Sequence, residues 1–144
     1  MTHEKSVTET HLDLETNSSC EKALLCARAA LEKKAESVKI LDLTELSSLT
    51  DAFLICSGMS DRQVKAIADS VQTHLELAGH EVLSVEGYSD GRWILLDCGD
   101  VIVHIFLDAL REYYDLENLW SDAPRIKIPS EFYLEAKDGK THLS

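Results

Sequence analysis

The fold of this chain is decided by the stretch Trp93-Ile94-Leu95-Leu96-Asp97-Cys98-Gly99-Asp100-Val101-Ile102-Val103-His104-Ile105-Phe106. Two apolar runs of strand length flank the dipeptide Gly99-Asp100. A two-residue break of this kind between two strands is typical of a tight β-hairpin. We therefore predict two antiparallel strands, over residues 92–98 and 101–107.

Successive side chains point to opposite faces of a sheet, so the hairpin register sorts its residues into two groups. One face is wholly apolar and is predicted to belong to the core; its pairs are Cys98 with Val101, Leu96 with Val103 and Ile94 with Ile105. The other face mixes aromatic, aliphatic and ionisable side chains, namely Trp93, Leu95, Asp97, Ile102, His104 and Phe106. On that face Asp97 is diagonal to His104 and is a candidate hydrogen-bond partner for it. We expect this mixed face either to be covered by the helix that follows or to be offered to a partner.

Outward from the hairpin, hydrophobic periodicity and capping signals predict the remaining elements. These are a helix from Ser18 to about residue 36, strands over 38–43 and 52–57, a helix opened by a capping box at Ser60 and Gln63 and ended by Gly79, a strand ending near residue 86, and a helix capped by Asp108 that runs to about Trp120. The order αββαβββα predicts an α/β sandwich with a mixed five-stranded sheet. The strand over 52–57 is continuously apolar, which suits a position buried on both faces.

We predict one domain over residues 18–120, preceded by a disordered leader over 1–17 and followed by a C-terminal extension over 121–144. The extension is expected to be loosely attached. Its apolar residues nevertheless leave open a short docked segment; they are Ile126, Ile128, Phe132, Tyr133 and Leu134.

Composition limits the possible partners. The 144 residues carry a formal net charge of −12. Such a charge repels phosphate backbones, so a basic protein surface is a better partner than nucleic acid. The four cysteines lack zinc-site spacing, which favours buried thiols. No signal sequence or membrane-spanning run is evident, so we expect a soluble, cytoplasmic protein.

The sequence offers no catalytic or metal site and implies no cofactor. There is no DxD pair for Mg²⁺ and no phosphate-binding glycine motif. Asp97 and Asp100 straddle the predicted turn, and Cys98 and His104 point to opposite faces in the predicted register. Neither pair makes a convincing site.

Four motifs, which occur along the chain in the family's order, resemble those of the ribosomal silencing factors, also called the Iojap-like family. They are Trp93 to Phe106, Arg111 to Trp120, Asp51 to Gly58 and Ser60 to Val64. The resemblance implies a nucleotidyltransferase-like fold without the catalytic carboxylates, and a regulatory protein that is not an enzyme. It also implies binding to the large ribosomal subunit through large-subunit ribosomal protein number fourteen (uL14). Silencing would then be steric obstruction of subunit joining, lowering translation when nutrients are short.

The resemblance places Trp93 and Tyr114 on the contact surface for that ribosomal partner. Tyr114 and Trp120 are six residues apart and cannot share a narrow stripe of one helix, so one of them should point away from the core.

Charge supports a docking surface in the same region. Between His80 and Trp120 there are nine acidic and two basic residues, a balance of −7. This is either a solvated face or electrostatic complementarity to a basic partner. The candidate partner-binding residues are Trp93, Asp97, Asp100, His104, Tyr114 and Glu117. A nucleotidyltransferase-like enzyme and a homodimeric scaffold remain as alternatives.

Overall fold

The structure, a computed structural model, describes residues 18–138 of the chain. The predicted leader over 1–17 lies outside the described residues, as do residues 139–144. Within 18–138 five helices and six strands follow one another in the order αββαβββααβα. In chain order they are α1 (Ser18–Glu32), β1 (Glu36–Asp42), β2 (Ala52–Gly58), α2 (Asp61–Leu77), β3 (Ser84–Glu86), β4 (Trp93–Asp97), β5 (Val101–Leu107), α3 (Asp108–Tyr114), α4 (Leu116–Leu119), β6 (Arg125–Ile126) and α5 (Ser130–Asp138).

The described strands form one mixed sheet in the order β3-β4-β5-β2-β1-β6. Strands β2 and β5 pair in parallel at its centre, and every other neighbouring pair is antiparallel. It follows that β2 and β3 run in the same direction, with β5 and β4 between them. Strand β2 is buried along its whole length, as its continuous apolar run predicts.

The β4–β5 hairpin has the predicted register. Leu96 pairs with Val103, and Ile94 pairs with Ile105. At the turn, Gly99 adopts a positive φ of 86°, a conformation that favours glycine. Its amide donates to the carboxylate of Asp97 at 2.9 Å, which fixes the turn from the side chain as well as from the backbone.

The sheet has an apolar core on each face. The larger core lies between the sheet and helices α1, α2 and α5, and it receives the apolar face of the hairpin. The smaller core lies on the opposite face, and its buried members are Leu41, Leu43, Phe53, Ile55, Phe106 and Ala123. Trp93, Ile102, Leu116 and Trp120 pack around its margin.

Helix α1 ends earlier than the sequence predicts. Its apolar pattern continues to Ala35, but Lys34 adopts a left-handed conformation with φ 65°. The amide of Lys34 donates to the carbonyl of Leu31, and the amide of Ala35 donates to that of Ala30. This is a Schellman motif with lysine at the C′ position, which glycine usually occupies. Without a glycine there, the sequence did not indicate that the helix ends at this point.

Helix α2 has the predicted boundaries. The Ser60 hydroxyl accepts from the Gln63 amide at 3.1 Å, and Gly79 follows the helix with φ 84°. The carboxamide of Gln63 accepts from the amide of Met59 and donates to the carbonyls of Lys33 and Lys34. The cap therefore also ties α2 to the turn that follows α1.

The five-stranded sheet of the prediction is wrong, because residues beyond Trp120 add a sixth strand. Strand β6 pairs with β1 through Ile126 opposite Ile40. Helix α5 then packs on α1, where Arg28 makes a bidentate ion pair with Glu135 at 2.8–3.0 Å and lies over the ring of Phe132. The described part of the extension, residues 121–138, is docked rather than loosely attached, which is the alternative its apolar residues left open.

Removing residues 121–144 is expected to destabilise the fold by roughly 2–4 kcal/mol. The truncation uncovers apolar surface on β1 and α1, and the ordering entropy it releases offsets part of that loss. A control chain ending at Asp138 keeps every described contact of β6 and α5. Urea unfolding of both chains measures the difference. Equal unfolding midpoints would show that the docked segment adds no stability.

Candidate interaction face

Six rings gather on the sheet face opposite helices α1 and α2. We call this group the aromatic cluster; its members are Phe53, Trp93, His104, Phe106, Tyr114 and Trp120. Trp93 stacks on Phe106 with ring centroids 4.8 Å apart, and Tyr114 lies against Trp93 at 4.7 Å. The cluster grades from buried to open, since Phe106 is fully buried, Trp93 is half-buried and Tyr114 is 44% exposed.

A break in the predicted third helix brings Tyr114 and Trp120 to the same cluster. The sequence predicts one helix from Asp108 to Trp120, but Asp115 adopts a left-handed conformation with φ 50° and separates α3 from α4. Asp108 is the first helical residue and makes no side-chain cap. Because the helix is not continuous, both rings reach the cluster, Tyr114 on Trp93 and Trp120 at 5.8 Å from Phe53. Of the two rings, Trp120 packs on the smaller core, whereas Tyr114 is 44% exposed at the margin of the cluster, so one ring does face outward as expected.

His104 lies inside the cluster, with 4% of its surface exposed. Its Nδ1 accepts a hydrogen bond from the indole N–H of Trp93 at 3.2 Å. The predicted pairing of His104 with Asp97 is wrong: the Asp97 carboxylate accepts from the Gly99 amide, and neither ring nitrogen of His104 bonds to it. The structure thus places this predicted site residue beneath Trp93, not on the outer surface.

The tautomer of His104 follows from its partner. An indole N–H is only a donor, so Nδ1 must be unprotonated and the proton of the neutral ring sits on Nε2. Within the described part of the chain Nε2 is buried and has no hydrogen-bond partner. The ring of Phe53 lies 4.5 Å away at 71°, an edge-to-face arrangement. Burial lowers the pKa of His104 from 6.5 to about 4.

Protonation of His104 in the unfolded chain should make the protein less stable as the pH is lowered. The unfolded chain takes up a proton below pH 6.5, whereas the native ring stays neutral down to about pH 4. The free energy of unfolding is therefore unaffected by this histidine above pH 6.5 and falls as the pH drops toward 4, by up to about 3 kcal/mol at 1.4 kcal/mol per pH unit. The phenylalanine of His104→Phe cannot titrate. Urea unfolding between pH 4 and 8 should show wild type losing stability relative to the variant as the pH falls, and parallel curves would contradict the assignment.

Two of the predicted acidic contacts are held in ion pairs within the protein. Glu117 accepts two hydrogen bonds of 3.0 Å from the buried guanidinium of Arg111 and lies 3.2 Å from Lys39. The bonds from Arg111 lower the pKa of Glu117, although partial burial opposes them. Arg111 also donates to the Ser57 hydroxyl in β2, so this cluster ties α3 and α4 to the sheet.

Asp100 is held in the same way at the hairpin turn. Its carboxylate lies 2.6 Å from Lys22 Nζ and 2.9 Å from the Ser19 hydroxyl, both on α1. Partial burial raises the pKa of Asp100, but the bonds from Lys22 and Ser19 outweigh it and the net shift is downward. The backbone carbonyl of Asp100 also accepts from the amides of Asp51 and Ala52. Asp100 therefore fastens the turn to α1 and β2.

The acidic character of this region resides in other, exposed residues. Six acidic side chains between His80 and Trp120 are exposed, namely Glu81, Glu86, Asp90, Asp108, Glu112 and Asp115. Glu86 pairs with Leu95 across β3 and β4, so its side chain stands on the same sheet face as Trp93. These six side chains are more exposed than Asp100 and Glu117, whose carboxylates are partly buried in ion pairs.

Sequence reasoning missed the residues that hold the face in place. Arg111 bonds Ser57 from 54 residues away, and Ser19 and Lys22 bond Asp100 from 81 and 78 residues away. Only the folded chain reveals these contacts. The alternation that placed Phe106 beside Trp93 could have pointed to Phe53, because β2 pairs with β5 in register and sets Phe53 opposite Ile102.

The described residues contain no group of three or more His, Cys, Asp or Glu side chains placed to hold a metal ion. Burial raises the pKa of the Cys98 thiol to about 11, which argues against a thiolate nucleophile at neutral pH. Among the helices of residues 18–138, none combines the length and apolar character needed to cross a membrane.

Comparison with known proteins points to one family. The family model for "ribosomal silencing factor during starvation" matches residues 16–143. A ribosomal silencing factor of Halalkalibacterium halodurans is 44% identical over 104 residues, which make up 72% of this chain and 89% of the relative. The ribosomal silencing factor of Bacillus subtilis is 45% identical over 100 residues, which make up 69% of this chain and 85% of the relative. A crystal structure of a Chromobacterium violaceum protein superposes with a TM-score of 0.71 at 41% identity, covering 73% of this chain and 88% of that one.

Proposed function

The chain belongs to the family of ribosomal silencing factors, and on that premise we propose how it acts. It binds the large ribosomal subunit through large-subunit ribosomal protein number fourteen and sterically blocks association with the small subunit. Translation is thereby repressed when nutrients are limiting. The protein needs no cofactor for this, because obstruction of a surface requires only a folded body anchored on it.

The observation that carries the proposal is the open margin of the aromatic cluster. Tyr114 is 44% exposed while its ring lies on the half-buried indole of Trp93. Tyr113 lies edge-on to Tyr114 at 5.1 Å and is 79% exposed. Partly buried aromatic rings on a rigid base are the usual anchors of protein interfaces, since little side-chain entropy is lost when they bind.

Tyr114→Ala should weaken binding to purified large ribosomal subunits by about 2 kcal/mol, the loss typical of a truncated interface anchor. Trp93→Ala should cost at least as much, since Trp93 supports Tyr114 as well as contacting the partner. Tyr133→Ala is the matched control, because Tyr133 is 43% exposed but lies on α5, away from the cluster. Cosedimentation at a series of protein concentrations measures the three affinities.

Equal affinity of Tyr114→Ala and Tyr133→Ala would mean that the cluster is not the docking surface. Circular dichroism should show that each variant is folded, so that a loss of binding is a property of the surface.

Charge around the cluster favours a basic partner. The exposed carboxylates of Glu86 and Glu112 take part in none of the ion pairs within residues 18–138, so they can attract a partner without loss of fold contacts. Such attraction acts mainly on the association rate, because exposed charges interact before contact is made.

Glu86→Lys and Glu112→Lys should each slow association with the large subunit, and the wild-type rate should fall as salt rises. Glu76→Lys changes the net charge equally but lies on α2, on the other side of the sheet, and should have a smaller effect. Stopped-flow mixing at several salt concentrations gives the rates. Association rates that depend neither on salt concentration nor on which charge is reversed would contradict electrostatic steering.

A further inference from the structure

His104 is a polar residue in an otherwise apolar place, and its position is costly. The ring is 4% exposed and packs among Phe53, Trp93 and Phe106. Its Nε2 is buried with no hydrogen-bond partner among the described residues. An apolar ring of similar size would fill the same space without burying an unsatisfied polar group. The fold alone therefore does not account for a histidine here.

Within the described part of the chain, the one hydrogen bond of the His104 side chain comes from Trp93. The indole N–H donates to Nδ1 at 3.2 Å, from the neighbouring strand β4 to β5. Trp93 also stacks on Phe106 with the ring planes 27° apart, and its ring lies against that of Tyr114 at a tilt of 44°. Ring contacts fix the plane of the indole but are compatible with either of the two orientations related by a flip about χ2, whereas the N–H bond selects one of them.

We propose that His104 is a positioning residue, which fixes the indole of Trp93 in the orientation that supports Tyr114 and meets the ribosomal partner. This inference rests on the proposed function, since it assigns His104 a role in docking at the aromatic cluster. It also changes the expected role of His104 from a surface contact to a support beneath one. Pre-orienting a contact side chain raises affinity because less freedom is lost on binding.

Two substitutions separate this role from a structural one. His104→Phe keeps a ring in the cluster but removes the acceptor for the indole. His104→Asn keeps an acceptor, because its Oδ1 is bonded to Cγ as Nδ1 is, but it leaves part of the ring space empty. The proposal predicts opposite orders for stability and for function. His104→Phe should melt at or above the wild-type temperature and bind large subunits about tenfold more weakly, whereas His104→Asn should melt lower and bind within about twofold of wild type.

A direct readout of the orientation is hydrogen exchange of the two indole protons, measured by NMR at one pH. The Trp93 indole proton should exchange faster in His104→Phe and stay protected in His104→Asn, with Trp120 in the same spectra as the internal reference.

The outcomes distinguish the inference from the proposed function. Binding that follows stability across the two variants would show that His104 is merely structural. Unchanged exchange of the Trp93 proton in His104→Phe would show that the hydrogen bond does not hold the indole. Wild-type protein that fails to bind large subunits would instead overturn the proposed function, and the exchange data would still decide whether His104 fixes Trp93.

Discussion

The register of the β4–β5 hairpin is the constraint on which the rest of the structure depends. A shift by one residue would exchange its apolar face for its aromatic face, sending Trp93 and His104 into the helix-covered core. Gly99 sets the turn by its positive φ, and Asp97 bonds the Gly99 amide. Asp100 then fastens the turn to α1 through Lys22 and to β2 through its carbonyl. Local turn chemistry and long-range ion pairing thus specify the same register, as expected of a sequence with one well-defined fold.

The elements that could be predicted are those whose information is local. The hairpin faces followed from alternation, and the ends of α2 followed from Ser60 and Gly79. The failures share a different cause. Strand β6 has only two residues and pairs with the free edge of β1. The helix break at Asp115 lies in a segment whose sequence otherwise resembles one continuous helix, with no glycine or proline to mark it. Tertiary contacts decide both, so a single sequence pattern does not reveal them.

The candidate site was predictable in outline and less so in detail. Alternation placed Trp93 on the mixed face, and the family resemblance pointed to Trp93 and Tyr114; the structure brings their rings within 4.7 Å, and their role in binding stays a prediction. Counting charges identified an acidic region, but counting does not separate carboxylates that hold the fold from those that face solvent. Glu117 is held by Arg111, whereas Glu112 nearby is exposed. The same holds for His104, which sequence analysis placed on the surface but which is buried and accepts a hydrogen bond from the neighbouring Trp93 indole. In the proposed function, the aromatic cluster is an anchor for the partner, and His104 supports it from inside.

The central claim is that this protein silences ribosomes by occupying a surface. Its most direct test is the joining of purified small and large subunits, followed by light scattering while the protein is titrated without nucleotide. The account predicts that joining stops near one protein per large subunit, while ribosomes that are already joined stay intact. Inhibition at a small fraction of the subunit concentration, dependent on nucleotide and Mg²⁺, would contradict it, and so would normal joining by subunits saturated with the protein.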